Sequence, residues 1–402
     1  MNTLVVKPRW DIFCRIVDNY GDIGVCWRLA SQLAHEYSLT IRLFVDCPQV
    51  AQKIIPELSL SHSTQVISGV EICFWDDALS VGDIADVVIE AFACDLPASY
   101  YAKIPDKNPI WINLEYLSAE SWVDDFHAKA SINPINGLVK YFFFPGFNDA
   151  TGGLLREADL IAKRDEFQSS ASSQLEFWQQ LALIAPAEKA IKVSLFCYPH
   201  AQIIDLLQGM STGIYPITLF VPDGAILTTV SQFFGVDGAT LSAGNVLAKG
   251  NLSVNIIPFL SQADYDKLLW SCDINFVRGE DSWLRAIWAA KPFIWQPYFQ
   301  QEETHLVKLN AFLAHYLQSS DALANNTMRQ LSLSWVYEHE VDISNKQASS
   351  ASLILKNSWD SFVEQLASDK AHAQAYTRQM SEQPDLAAKL VIFCNKLSDS
   401  AV

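Results

Sequence analysis

Two short stretches of this 402-residue chain combine carboxylates and small residues at spacings that suit chemistry. The first is Asp18-Asn19-Tyr20-Gly21-Asp22-Ile23-Gly24, just past a mainly apolar run, Trp10–Val17. Two carboxylates in a loop made pliable by Gly21 and Gly24 can converge on one substrate group. The competing reading makes Asp22 a simple N-cap for the helix that begins at Ile23. The second stretch, Arg278-Gly279-Glu280-Asp281-Ser282, lies between a strand-like run, Asp273–Val277, and a helical pattern carrying Trp283, Ile287 and Trp288. A strand, a sharp turn at Gly279 and a helix start aim backbone N–H groups at one point. With the helix dipole behind them, that geometry favours a phosphate. Glu280 and Asp281 sit oddly beside an anion. They suit hydrogen bonds from sugar or ribose hydroxyls, or bracing of the turn itself. Such a site fits a nucleotide-sugar held without a metal, and an ordinary strand-to-helix turn with an acidic N-cap is the alternative.

Further candidates group around the second stretch. Phe196-Cys197-Tyr198-Pro199-His200 ends another strand-like run, and its rings can stack on a base or contact a phosphate through the Tyr198 hydroxyl, or belong to the core. Gln262 and Tyr265 stand at a helix start within Phe259–Tyr265, where an amide and a ring can meet a nucleobase. A Ser/Asp-rich N-cap with a buried tyrosine is the more common reading of such a pattern taken alone. His305, Glu115 and Glu120 are weaker candidates, each more naturally structural or solvated. The chain has no G-x-G-x-x-G, no Walker lysine motif, no H-E-x-x-H and no G-x-S-x-G. Asp264-Tyr265-Asp266 has the spacing of a metal-binding acid pair, but it falls in a helical pattern, where residues two apart do not face each other. Phosphorylation chemistry, metalloproteolysis and serine hydrolysis are therefore disfavoured.

The elements that must position these residues alternate along the chain. Trp10–Val17, Ile41–Val45, Val87–Phe92, Pro109–Leu114 and Tyr141–Phe144 read as strands, with helices from Ile23 to about Glu36 and after Pro48. A polar helix over Ala158–Leu183 leads to a linker beginning at Pro186. Strands then recur at Lys192–Cys197, Ile217–Val221, Ser253–Ile257, Asp273–Val277 and Pro292–Trp295. Helical patterns fall at Ala201–Leu207, Ala263–Trp270, Ser282–Ala289 and Glu302–Leu317. The expected fold class is α/β, with two doubly wound Rossmann-like domains, 1–185 and 186–384, facing across a cleft. An amphipathic helix at 385–397 is placed to pack back on the first domain. Open α/β sheets bind ligands beyond their strand carboxyl ends. Many glycosyltransferases and some epimerases share that architecture, so it narrows chemistry only to a class.

Composition agrees with two domains, since the length exceeds one typical core and 50% of residues are hydrophobic. Charged residues are 18%, below the usual quarter, which argues against extensive disorder. A net charge of −17 disfavours broad attachment to nucleic acid or anionic membrane. None of the eight cysteines forms a C-x-x-C pair, and several lie in apolar runs, as buried reduced thiols would. Without an apolar leader or a run of eighteen apolar residues, the chain reads as cytoplasmic and soluble.

The motifs Asp18 to Val25, Trp27-Arg28-Leu29-Ala30 and Arg278 to Ser282, with Pro292-Phe293-Ile294-Trp295-Gln296 and Lys308-Leu309-Asn310-Ala311-Phe312, closely resemble one family. It is the bacterial protein-arginine rhamnosyltransferases, EarP, which modify translation elongation factor P. The resemblance runs through essentially the whole chain. It implies a GT-B architecture, dTDP-β-L-rhamnose as donor, elongation factor P as acceptor, and inversion to an α-rhamnosyl arginine. It also implies Asp18 and Asp22 as the acid pair, with Asp22 the general base. Glu280 falls in the donor site, with Asp281 and Ser282 beside the phosphates, Phe196 and Tyr198 at the strand end, and Gln262 and Tyr265 flanking the nucleotide. Tyr20 and Tyr265 stand where some members have Phe, and both keep the ring. No metal and no resident cofactor is expected. Another GT-B glycosyltransferase, a sugar-nucleotide epimerase or a non-catalytic nucleotide-sugar binding protein are the alternatives. The Asp18–Asp22 pair argues against a pure binder.

Overall fold

The computed structural model describes residues 8–76, 82–183, 186–187, 189–336 and 347–400. The chain forms two compact units, Met1–Ala158 with Met380–Val402, and Asp159–Gln379. The division falls after Ala158, not at 185. The polar stretch expected as one helix of the first domain is two helices, Leu160–Ser169 and Ala171–Gln180, and both fall in the second unit. Their contacts explain the placement: Arg164 Nη1 donates to the Trp288 carbonyl at 2.8 Å, and Trp178 stacks on Phe220 at 4.7 Å between centroids. The break comes at Ser170, whose extended backbone ends the first helix and whose Oγ accepts from Ser173 N to cap the second. The linker expected from Pro186 adjoins residues 184, 185 and 188, which lie outside the described residues.

In the first unit the strands are β1 (Arg9–Cys14), β2 (Thr40–Val45), β3 (Thr64–Ile67), β4 (Val70–Phe74), β5 (Val87–Ala91), β6 (Ile110–Leu114), β7 (Lys129–Ile132) and β8 (Val139–Phe143). They form one sheet in the order β3-β4-β2-β1-β5-β6-β8-β7, parallel except for the edge strands β3 and β7. Strand β1 pairs on one side with β2 and on the other with β5. The chain therefore winds outward in both directions from β1, and the loop beyond Cys14 occupies the topological switch point. Asp11 anchors β1 from within: although fully buried, it accepts from Arg42 Nε at 2.7 Å and from the Tyr100 hydroxyl at 2.6 Å. A buried carboxylate is tolerable only when paired in this way. The helix Leu386–Ser400 completes the unit, with Phe393 edge-on to Tyr141 at 5.4 Å.

The second unit repeats the plan with β9 (Ile191–Leu195), β10 (Ile217–Pro222), β11 (Val246–Lys249), β12 (Leu252–Ile257), β13 (Ile274–Arg278) and β14 (Phe293–Gln296). The order is β11-β12-β10-β9-β13-β14, so the switch point lies between β9 and β13. Buried Asn275 of β13 accepts from Ser194 Oγ of β9 at 2.6 Å, tying those two strands together below their carboxyl ends. The edge strands β3, β7 and β11 escape a reading by apolar runs because they are short and mostly exposed. All eight cysteines are free thiols, and every one but Cys47 is buried. Among the described residues no helix is long and apolar enough to cross a membrane.

Candidate active site

Each unit carries its own cluster of candidate residues at its own switch point. In the first unit the helix begins at Tyr20, earlier than the expected Ile23, because Asn19 turns the chain with a left-handed φ of 39°. Asp22 consequently lies inside the first turn and does not cap the helix. Its Oδ2 instead reaches back to accept from the N–H groups of Val17 at 2.7 Å and Asp18 at 2.8 Å. Its Oδ1 accepts from the Tyr116 hydroxyl at 3.2 Å. Both acids are buried, Asp18 at 8% exposure and Asp22 at 2%. Gly21 is there for space rather than pliability: a Cβ at that position would stand 2.8 Å from Asp18 Oδ2. Burial raises the affinity of Asp22 for a proton above the ordinary carboxylate range, and the charge of Asp46 adds to the rise. The N–H groups of Asp18 and Val17 and the Tyr116 hydroxyl work in the opposite direction. The outcome is an oriented carboxylate more basic than a solvated one.

In the second unit Gly279 adopts φ 60°, which a side chain would strain. Its N–H donates to the Gln296 carbonyl at 3.1 Å, and its own carbonyl accepts from Trp295 Nε1 at 2.7 Å. Trp295 is in turn stacked on Trp283 at 3.7 Å. The turn is thereby clamped to β14 before the helix Asp281–Trp288 begins. Glu280 occupies the N-cap position without a side-chain capping bond, so the acidic N-cap reading does not hold for it. The Ser282 hydroxyl donates to the Arg278 carbonyl and accepts from Arg278 N, so it braces the turn.

Around this turn the other candidates gather. Asp281 Oδ2 accepts from Gln262 Nε2 at 3.3 Å, joining the two helix starts. Below them a buried bidentate pair, Arg285 to Asp266 at 2.9 and 2.7 Å, locks the same two helices. Asp264 accepts from Lys267, so the two acids of Asp264-Tyr265-Asp266 serve separate partners. The Arg278 guanidinium lies 4.5 Å from the ring centroids of both Phe196 and Tyr198. Phe196 meets Tyr265 edge-on at 5.7 Å. Tyr265 is half-buried as a residue, its hydroxyl is fully buried, and burial drives that hydroxyl's pKa upward.

Three contributors were not assigned by motif reading: Tyr116, Arg278 as a cation over aromatic rings, and Gln296. Tyr116 follows a strand end beside Glu115, and only the fold brings it to Asp22. Gln296 has 1% exposure, accepts from Tyr198 N at 2.8 Å through Oε1, and its Nε2 has no partner among the described residues. Of the weaker candidates, Glu120 accepts locally from Ser118 Oγ, and His305 is buried with Nδ1 3.2 Å from the Gln300 carbonyl. Among the described residues no group of three His, Cys, Asp or Glu side chains could hold a metal ion.

Two doubly wound units, each with polar machinery at a switch point, define a GT-B-type glycosyltransferase. A glycosyltransferase from Rickettsia africae, 9% identical with a TM-score of 0.50 over 98% of this chain and 99% of its own, shares the fold alone. The model of the family described as elongation-factor P (EF-P) rhamnosyltransferase EarP matches residues 10–395, and the chain belongs to that family. A protein-arginine rhamnosyltransferase from Pseudomonas aeruginosa is 43% identical over 96% of this chain and 98% of its own length. One from Shewanella oneidensis is 37% identical over 98% and 100%. A solved structure described as the structural basis for EarP-mediated arginine glycosylation of translation elongation factor EF-P matches with a TM-score of 0.68 at 33% identity, covering 97% of this chain and 99% of that one.

Proposed function

We propose that this enzyme transfers L-rhamnose from dTDP-β-L-rhamnose to an arginine side chain of elongation factor P, in the cytoplasm, with inversion at the sugar's C1. The observation that carries the reading is Asp22: a buried carboxylate, raised in basicity by burial and oriented by three donors, at the switch point of β1. The acceptor demands such a group. A guanidinium is always protonated near neutral pH and its lone pairs are delocalised, so it is a poor nucleophile. Asp18 and Asp22 hold it by charge-assisted hydrogen bonds and present one terminal nitrogen to C1.

As the new C–N bond forms, the bond from C1 to the diphosphate oxygen breaks. The attacking nitrogen becomes acidic and releases its proton to Asp22, leaving a glycosylated guanidinium that is still cationic. Prior deprotonation of arginine is unnecessary, which matters because no carboxylate could achieve it at equilibrium. On the donor side, the helix start after Gly279 and the Arg278 cation meet the charge that grows on departing dTDP. Glu280 takes a hydroxyl of the sugar or ribose, while the rings of Phe196, Tyr198 and Tyr265 with the Gln262 amide hold the base. Ser282 acts by keeping the turn in shape and Asp281 by holding Gln262. With positive charge already supplied by backbone and arginine, the reaction needs no metal and no cofactor beyond the donor.

Incubation of the purified chain with dTDP-β-L-rhamnose and elongation factor P is expected to add one deoxyhexose to the factor, mapped to an arginine by fragmentation mass spectrometry. The gain is expected to persist in EDTA. No gain, or a sugar on another residue type, contradicts the assignment. A rate that vanishes with EDTA and returns with magnesium contradicts its metal-free part.

A further inference from the structure

Asp22 has one oxygen fixed by backbone and one that must meet the proton. Oδ2 is held by the N–H groups of Val17 and Asp18, both contributed by its own loop. Oδ1 is met by a residue from elsewhere, Tyr116, whose hydroxyl donates to it at 3.2 Å. The Tyr116 ring lies nearly parallel to that of Phe92, with centroids 4.2 Å apart and an interplanar angle of 11°. Phe92 is an unusual platform. It and Ala93 have φ of 58° and 52°, in the left-handed region that side chains avoid, directly after β5. The conformation is held by hydrogen bonds to β6, the strand that leads to Tyr116: Phe92 N to the Leu114 carbonyl at 2.7 Å, and Ala93 N to Asn113 Oδ1 at 3.0 Å. Strain of this kind persists where the surroundings over-determine it, and it concentrates at functional sites.

We infer that Tyr116, braced by the stacked ring of Phe92, is a positioning residue that orients the proton-accepting oxygen of Asp22. The inference rests on Asp22 being the base. With the phenol on one lone pair of Oδ1, the other is directed at the incoming nitrogen. The same bond favours the ionised carboxylate, opposing the burial and the Asp46 charge that favour its protonated form. The groups facing Asp22 are Asp18 on its own loop, Asp46 beyond β2, Cys14 of β1 and Tyr116 beyond β6.

The test is Tyr116→Phe, which keeps the stack and removes only the hydroxyl. The acid limb of kcat/KM is expected to move to higher pH, because losing a donor to the charged form makes Asp22 easier to protonate. The kcat should fall by roughly tenfold, the scale of a hydrogen bond to a charged group, with dTDP affinity unchanged. Carbon-13 NMR titration of the Asp22 carboxyl, without donor or acceptor, should show the same upward move. Phe92→Ala, with the hydroxyl retained, should move the limb in the same direction by less. A Tyr116→Phe titration that superimposes on the wild type, while Asp22→Asn is inactive, overturns this inference alone. An active Asp22→Asn overturns it together with the base assignment.

Discussion

Asp22→Asn is expected to lower the rate of rhamnosyl transfer by on the order of 10²- to 10⁴-fold, the usual contribution of a positioned general base. The substitution removes basicity and little else. The asparagine Oδ1 can accept from Val17 N and Asp18 N as Oδ2 does now, and its amide can face the Tyr116 oxygen. Folding should not suffer. Burial lifts the pKa of Asp22 in the folded chain, so its favourable contribution is present below the ordinary carboxylate range and lost as pH rises through the raised value. At neutral pH the charged, buried form weighs against the fold, and a neutral amide relieves it. Single-turnover transfer and calorimetric dTDP binding check both sides. Transfer should collapse while affinity for dTDP stays within a few-fold. Retained transfer contradicts the base role, and lost dTDP affinity moves Asp22 into the donor site.

The second large effect belongs to Glu280→Gln. Glu280 sits at a helix start without capping it, and the turn around it is braced independently through Gly279, Ser282 and Trp295. Replacing the carboxylate by an isosteric amide should leave that framework intact. A hydrogen bond from a donor hydroxyl to a charged acceptor is worth about 1.5–3 kcal/mol, so kcat/KM for the nucleotide-sugar should fall roughly 10- to 100-fold. The KM for elongation factor P should not change. Steady-state kinetics with each substrate varied in turn separates the two. An effect confined to the protein substrate would assign Glu280 to the acceptor side instead.

The alternation of strand and helix was legible in the sequence because buried parallel strands are continuous apolar runs, as at Val87–Ala91 and Ile274–Arg278. Strand order was not, since pairing of β1 with β5 or β9 with β13 joins segments far apart in the chain. The exposed edge strand Lys129–Ile132 offers no continuous apolar run. The boundary at Ala158 was hidden for a similar reason: it depends on where Arg164 and Trp178 find partners, whereas Pro186 is only a local breaker. The candidate residues were legible as motifs, but their duties were not. A motif cannot show that Asn19 reverses the chain so that Asp22 reaches back to Val17. Nor can it show that the Ser282 hydroxyl is occupied by Arg278, or that Tyr116 arrives from the loop beyond β6 to touch Asp22.

The proposed single displacement, with Asp22 drawing a proton from the attacking nitrogen, predicts a stereochemical signature. NMR of the isolated glycopeptide made from dTDP-β-L-rhamnose reads it through the one-bond carbon–hydrogen coupling at the sugar's C1. An α-linked rhamnosyl arginine is the predicted result. A β-linked product would mean retention and a different arrangement of groups around C1, and it would contradict the role of Asp22 as the base.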